Sequence, residues 1–283
     1  MGIRSKNIAL ILLLFAAAFS FRRKNDIKPA RILHQMYDSI KNVRTLRVRV
    51  ASLERVDKKY TSGIAIIKVL TAPRKLYFHN TTKKIEVLFN PDMHHHKALV
   101  KPNIFPYMSL SLDPTGNLMR KNQHYTINEL GYDFIGKSVA LTISKDKDGL
   151  NNFKYHGKIV KNGYNCYFLE YENKSYAYVD YTVGEKETTG TIAYKLCVNE
   201  YLLRDKNDLL NEFGYLKKGK VIRVPTLYCK KAILYIDEKM MLPVSISLYD
   251  DLGLFENYEY TNVEINKPFS ADEFDRDFKE YGF

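Results

Sequence analysis

Residues 178–226 read YVDYTVGEKETTGTIAYKLCVNEYLLRDKNDLLNEFGYLKKGKVIRVPT, and this stretch decides how the chain is divided. Tyr178–Val183 alternates apolar and polar side chains as a short strand does. Glu187-Thr188 precedes a helical pattern carrying Ile192, Ala193 and Leu196. Val198-Asn199 separates it from a second helical pattern with Tyr201, Leu202 and Leu203, which ends at Asn207. Leu216–Pro225 then makes a turn and a closing strand. Thr188, or Glu187 beside it, can cap the first helix, where a carboxylate also suits the helix dipole. Ile192, Leu196, Leu202 and Leu203 are expected to form one face against the small sheet. Gly219 supplies permissive backbone before the last strand. The order is strand, helix, helix, strand.

These residues resemble a LysM domain, the module that holds N-acetylglucosamine-containing glycans, chiefly bacterial peptidoglycan. Tyr181-Thr182-Val183 matches the family's opening strand, and Glu187-Thr188 matches the acidic–Thr pair that starts its first helix. Ile192-Ala193, Leu203, Asn207, Gly219 and Ile222-Arg223-Val224-Pro225 fall in register with it. The chain departs in two places. Lys186 stands where a Gly usually precedes the acidic–Thr pair, and Thr189 stands where a hydrophobic residue usually follows it. The resemblance implies a shallow groove between two loops. Lys186, Glu187, Thr188 and Thr189 would line one side, and Asn207, Asp208, Leu209 and Leu210 the other. Such a groove holds neutral glycan by hydrogen bonds and apolar contact, without a catalytic group. The bland alternative is that Glu187 and Thr188 only cap a helix and Asn207 only ends one.

Outward from the module, the chain is one split domain. Pro29 opens a helical pattern with Ile32, Met36, Ile40 and Val43 on one stripe and Leu33 and Tyr37 beside it. Alternation then takes over at Leu46, Val48 and Val50. It recurs at Ile85, Val87 and Phe89, in Phe153–Ile159 and in Tyr167–Tyr171. Beyond the module it continues at Ile233 and Tyr235 and at Val244, Ile246 and Leu248. Gly63, Asn90-Pro91-Asp92, Asn162-Gly163 and Asp251-Leu252-Gly253 read as turns between strands. One more helix is expected within Ile127–Thr142. The fold class is therefore α+β: a curved antiparallel sheet, an unclosed barrel, packed on helices and interrupted by the βααβ module.

A first helix followed by alternating strands also resembles the periplasmic lipoprotein carriers, whose unclosed barrel holds acyl chains. Lys231–Asp237, Leu242-Pro243-Val244, Tyr249–Glu256 and Tyr258-Glu259-Tyr260 carry that likeness. The closing Phe274 to Tyr281-Gly282-Phe283 resembles a family of uncharacterised bacterial envelope proteins in the same superfamily. This implies a discontinuous carrier-like domain at 26–177 and 228–283, with a concave face that takes lipid or an acyl chain. An ordinary filled core is the alternative.

Arg4 and Lys6 before the apolar run Ile8–Phe19, with Ala18-Phe19-Ser20 after it, give residues 1–20 the composition of an export signal. Phe21-Arg22-Arg23-Lys24 places positive charge right behind it, so a retained membrane anchor stays open. Export leads to a periplasmic or cell-envelope location. The formal charge is +12, which in the cytosol would raise the question of nucleic acid. Behind an export signal, lipid headgroups and wall polymers are the natural anionic neighbours, and no nucleic-acid partner is expected. The three cysteines fit no essential disulfide, because Cys166 and Cys229 would sit at opposite ends of paired strands and Cys197 lies inside the module.

No catalytic, metal or cofactor signature stands out. His94-His95-His96 follows a turn signal and reads as an exposed loop, not a metal pair. Asp250-Asp251 reads as a turn, and nothing marks Glu170 and Glu172 as an acid–base pair. A wall-active hydrolase would need a site that these residues do not display. The expectation is a non-catalytic exported envelope protein that docks on peptidoglycan and presents a lipid-, lipoprotein- or protein-binding sheet. The alternative is a lipid or lipoprotein carrier in which the module is only structural.

Overall fold

A computed structural model describes residues 28–283 except Asn103, Pro106 and Lys147. The expected signal or anchor at 1–20 lies outside the described residues. Helix α1 (Pro29–Lys41) starts on a proline, whose missing N–H is no loss at a helix start. Ile32, Met36 and Ile40 repeat every four residues and are buried with Leu33.

An antiparallel meander follows: β1 (Thr45–Val56), β2 (Lys59–Thr71), β3 (Arg74–Asn80), β4 (Ile85–Phe89), β5 (Ala98–Lys101) and β6 (Leu110–Leu112). A short helix α2 (Asn117–Arg120) and a longer α3 (Tyr132–Lys145) come next, then the hairpin β7 (Phe153–Lys161) and β8 (Tyr164–Glu172). Asn162 and Gly163 make the tight turn of that hairpin, both at positive φ (54° and 81°), as expected of Asn-Gly. The inserted unit contributes β9 (Tyr178–Thr182), α4 (Thr189–Leu196), α5 (Glu200–Lys206) and β10 (Val221–Pro225). Strands β11 (Lys231–Asp237), β12 (Pro243–Asp250) and β13 (Gly253–Ile265) complete the chain's regular elements.

Eleven strands form one curved sheet in the order β6-β5-β4-β3-β2-β1-β13-β12-β11-β8-β7, which ends at β6 and β7 and does not close. Its core face packs on α1 and α3 through Leu46, Val48, Val50, Ile67, Leu234 and Leu169, among others. The two helices meet at Gly136, where a Cβ would lie 3.1 Å from the Ile40 side chain. Any larger residue there would push the helices apart.

The opposite face of the sheet is apolar too at Tyr77, Leu88 and Leu99, and the C-terminal segment covers it with Phe274, Phe269 and Tyr281. Tyr281 stacks on Tyr77 with ring centroids 3.7 Å apart. Lys68, buried on that face, donates to Glu273 at 2.7 Å.

Two strand expectations need correcting, while the histidine and cysteine expectations agree with the structure. Gly63 is not a turn: it lies inside β2, and the turn falls two residues before that strand begins, at Asp57 and Lys58, both at positive φ. In β11 the core-facing residues are Ala232, Leu234 and Ile236, so Ile233 and Tyr235 lie on the other face. The middle of that strand is apolar on both faces, which is why alternation misplaced the register. The His94–His96 segment is a helical turn with His95 and His96 exposed and at positive φ. Cys166 pairs in register with Asp237, while Glu172 pairs with Lys231 next to Cys229, so the two cysteines sit at opposite ends of β8 and β11.

The inserted unit has its own sheet and core. β9 and β10 pair from Tyr178–Pro225 to Thr182–Val221, and Val183, Ile192, Ala193, Leu203, Leu209, Ile222 and Val224 cluster beneath them. Leu202 does not join this face. It turns toward the large sheet with Tyr201 and meets Phe255.

Candidate functional site

A cavity of about 180 Å³ lies between the core face of the sheet and helix α3. Strand geometry orders its wall, because alternate residues of each strand face it. Along β1 these are Val50, Ser52 and Glu54. Val50 pairs with Ala65 and Tyr260, Ser52 with Gly63 and Tyr258, and Glu54 with Thr61 and Glu256. One end is thus apolar and the other polar. Phe134, Ile135, Ser138 and Val139 of α3 form the roof. Gly63 removes one side chain from the middle of β2 at the polar end, where glycine in a strand marks close approach of another group.

The Ser138 hydroxyl is an anomaly in this wall. The residue is nine-tenths buried, and its oxygen has no hydrogen-bond partner among the described residues. A buried hydroxyl left unpaired is rare and costly.

A buried polar network closes the polar end. Glu256 is fully buried and accepts from His124 Nδ1 at 2.9 Å and from the Tyr125 hydroxyl. His124 Nε2 faces the Arg55 carbonyl oxygen at 3.1 Å. Both ring nitrogens therefore meet acceptors, an arrangement that only the doubly protonated imidazolium satisfies. Burial opposes that charge, but the hydrogen bond and attraction of Glu256 outweigh it and raise the His124 pKa above its usual value. The ring packs on Phe255, with centroids 4.2 Å apart, and on Tyr201, at 4.6 Å. Tyr228 donates to the Tyr125 hydroxyl at 2.9 Å, and Asn199 donates to Tyr228 at 3.2 Å. Tyr258 donates to Glu54. Burial pushes the Tyr125, Tyr228 and Tyr258 phenols well above their usual pKa, so they stay protonated.

The inserted unit thus touches the cavity wall directly. Its Tyr201 hydroxyl accepts from the Asp57 amide at 2.7 Å, its Glu200 pairs with Arg120, and its Leu196 carbonyl accepts from Lys145.

The residues expected to bind glycan are largely engaged within the unit. Thr188 is the helix cap, accepting from the Thr191 amide at 3.1 Å. Glu187 accepts from the Gly184 amide, Tyr181 and Lys195, and these bonds, the Gly184 amide first, hold its carboxyl below the ordinary range. Thr189 is buried and donates to Glu200 at 2.6 Å. Asn207 bonds Leu203 and both backbone groups of Arg223, tying α5 to β10. Leu209 is in the unit's core, and Leu210 packs toward Tyr201 and Phe255. Of these residues only Lys186 and Asp208 are exposed. Lys186 and Cys197 both adopt positive φ (55° and 50°).

The sequence alone does not single out the cavity residues. The available signal was the change along β1 from Leu46, Val48 and Val50 to Ser52 and Glu54 on the same face, with Gly63 opposite.

Residues 219–283 match a family described as a protein of unknown function, DUF1571. No curated protein matches the chain. Among solved structures, it is similar to lipoprotein LppX of Mycobacterium tuberculosis, at 15% identity over 88% of this chain and 100% of that one, with a TM-score of 0.42. LprF from Mycobacterium bovis aligns at 12% identity over 86% and 94% of the two chains, with a TM-score of 0.43. The MucA/MucB complex of Pseudomonas aeruginosa gives 8% identity over 87% of this chain and 60% of that one, with a TM-score of 0.40.

Proposed function

We propose that the protein is a non-catalytic holder of one apolar chain, an acyl chain of a lipid or lipoprotein, seated between the curved sheet and α3. The observation that carries this is the cavity of about 180 Å³, apolar at one end and containing the unpaired Ser138 hydroxyl. An engineered apolar cavity of about 150 Å³ stays dry and binds benzene, so the volume suffices for a segment of a single chain. Each methylene buried contributes about 0.8 kcal/mol. A multi-chain lipid would need the helices to move.

In this reading the inserted unit is a buttress. Tyr201, Leu202 and Leu210 pack on Val56 and Phe255 beside the polar end of the cavity. Docking on N-acetylglucosamine glycan through Lys186–Thr189 and Asn207–Leu210 is the competing role. It would recruit residues that already hold the unit together. The export-signal composition of residues 1–20 supports action outside the cytoplasm, with a retained membrane anchor as the alternative.

The test is organic extraction of the purified full chain followed by mass spectrometry, paired with binding of the neutral dye Nile red. Co-purifying acyl compounds, dye binding, and loss of both in Ala65→Phe with an unchanged circular dichroism spectrum support the reading. Wild-type protein that carries no lipid and binds no dye overturns it.

A further inference from the structure

Resting on the cavity reading above, we infer that the bound amphiphile carries a head group that donates hydrogen bonds and is not an acid. The polar end carries the neutral donors Ser52, Thr61, Ser62, Asn80 and Gln123, but its ionised groups are mostly the carboxylates Glu54, Glu129 and Glu256. Tyr258 and Tyr125 spend their hydroxyl hydrogens on Glu54 and Glu256, so each phenol and each carboxylate turns only lone pairs toward an incoming group. Glu129, which also lines the cavity, caps Thr126 through one oxygen and leaves the other.

Charge points the same way. Glu256 is matched by the His124 imidazolium. Among the described residues, Glu54 and Glu129 bond only to neutral partners, Tyr258 and Thr126. The ammonium in the lining is that of Lys83, exposed on the β3–β4 turn. A carboxylate or phosphate head would meet unmatched carboxylates in a partly buried setting, where screening by solvent is weak. A hydroxylated or ammonium head satisfies the same lone pairs at no such cost. The Ser138 hydroxyl, unpaired on the roof of the same cavity, is an independent sign that a polar atom of the occupant reaches inside.

Three probes of equal chain length separate the possibilities: monomyristoylglycerol, myristylamine and myristate, each displacing Nile red from the full chain at neutral pH. The glyceride, the amine or both are expected to displace dye at concentrations at least tenfold below myristate, a gap of about 1.4 kcal/mol. The tighter of the two tells whether hydroxyls or positive charge is preferred. Glu54→Gln with Glu129→Gln keeps side-chain volume and should close most of the gap. Equal or tighter binding of myristate overturns the head-group inference while leaving the cavity reading intact. If no probe displaces dye and Ala65→Phe does not alter dye binding, the cavity reading falls and this inference falls with it.

Discussion

Replacing Ser138 by Ala tests the cavity from the inside. The Ser138 hydroxyl is buried without a protein partner among the described residues. Leaving such a group unpaired costs about 1–3 kcal/mol. Alanine also gains about 0.5 kcal/mol over serine inside a helix. Delipidated Ser138→Ala should therefore be more stable than wild type by about 2 kcal/mol. For a domain of this size each kcal/mol moves the melting midpoint by about 2–4 °C, so a rise of about 4–8 °C is expected. The same change removes a polar contact from the occupied cavity. Affinity for monomyristoylglycerol should drop roughly tenfold, about 1.4 kcal/mol. Calorimetry on delipidated protein and Nile red displacement read the two effects. A lower melting midpoint would show that the hydroxyl is already satisfied. An unchanged affinity would show that the occupant does not reach it. Either result refutes the reasoning.

Stability should fall as pH rises above about 6.5, the ordinary histidine value, because His124 binds its proton more tightly when folded. Its contribution is complete below that value and is lost as pH passes through the raised folded pKa. His124→Gln should flatten this part of the melting-versus-pH curve, and parallel curves for the two proteins would contradict the imidazolium assignment. Thr188→Ala with Asn207→Ala removes a helix cap and the bridge to Arg223. The pair should cost about 2 kcal/mol in urea unfolding, and its sedimentation with purified cell wall should match wild type if the unit is a buttress. Phe274→Ala strips a buried ring from the outer face of the sheet. A loss of about 3 kcal/mol is expected, and a loss below about 1 kcal/mol would mean that the C-terminal segment does not cover that face.

The fold was largely legible because its signals are periodic. The stripe Ile32, Met36 and Ile40 and the alternation Leu46, Val48 and Val50 follow from core-facing geometry, and both elements are present. The βααβ order at 178–226 was equally readable, since Thr188, Gly219 and the apolar positions each carry a local reason. β11 was harder because Ile233 and Tyr235 make the middle of its outer face apolar, and only Lys231 and Asp237 at its ends mark the outside. The candidate site was not legible. Its members come from β1, β2, β12, β13, α3 and the segment before α3, far apart in the chain. His124 and Glu256 are 132 residues apart, and only the tertiary fold makes them partners. Asn207, by contrast, stays ambiguous in the sequence because one residue type serves equally for ending a helix and for sugar contact.

Strands β8 and β11 are hydrogen-bonded neighbours, yet the whole inserted unit separates them. Joining Glu172 to Lys231 from an open chain means closing about 58 residues, whereas with β9 and β10 already zipped only about 10 loose residues remain, a saving of about 1.5 kcal/mol in closure entropy. An insertion that zips first would act as a clasp for the strands it joins. Its own folding would then set how quickly the β7–β8 hairpin docks on β11.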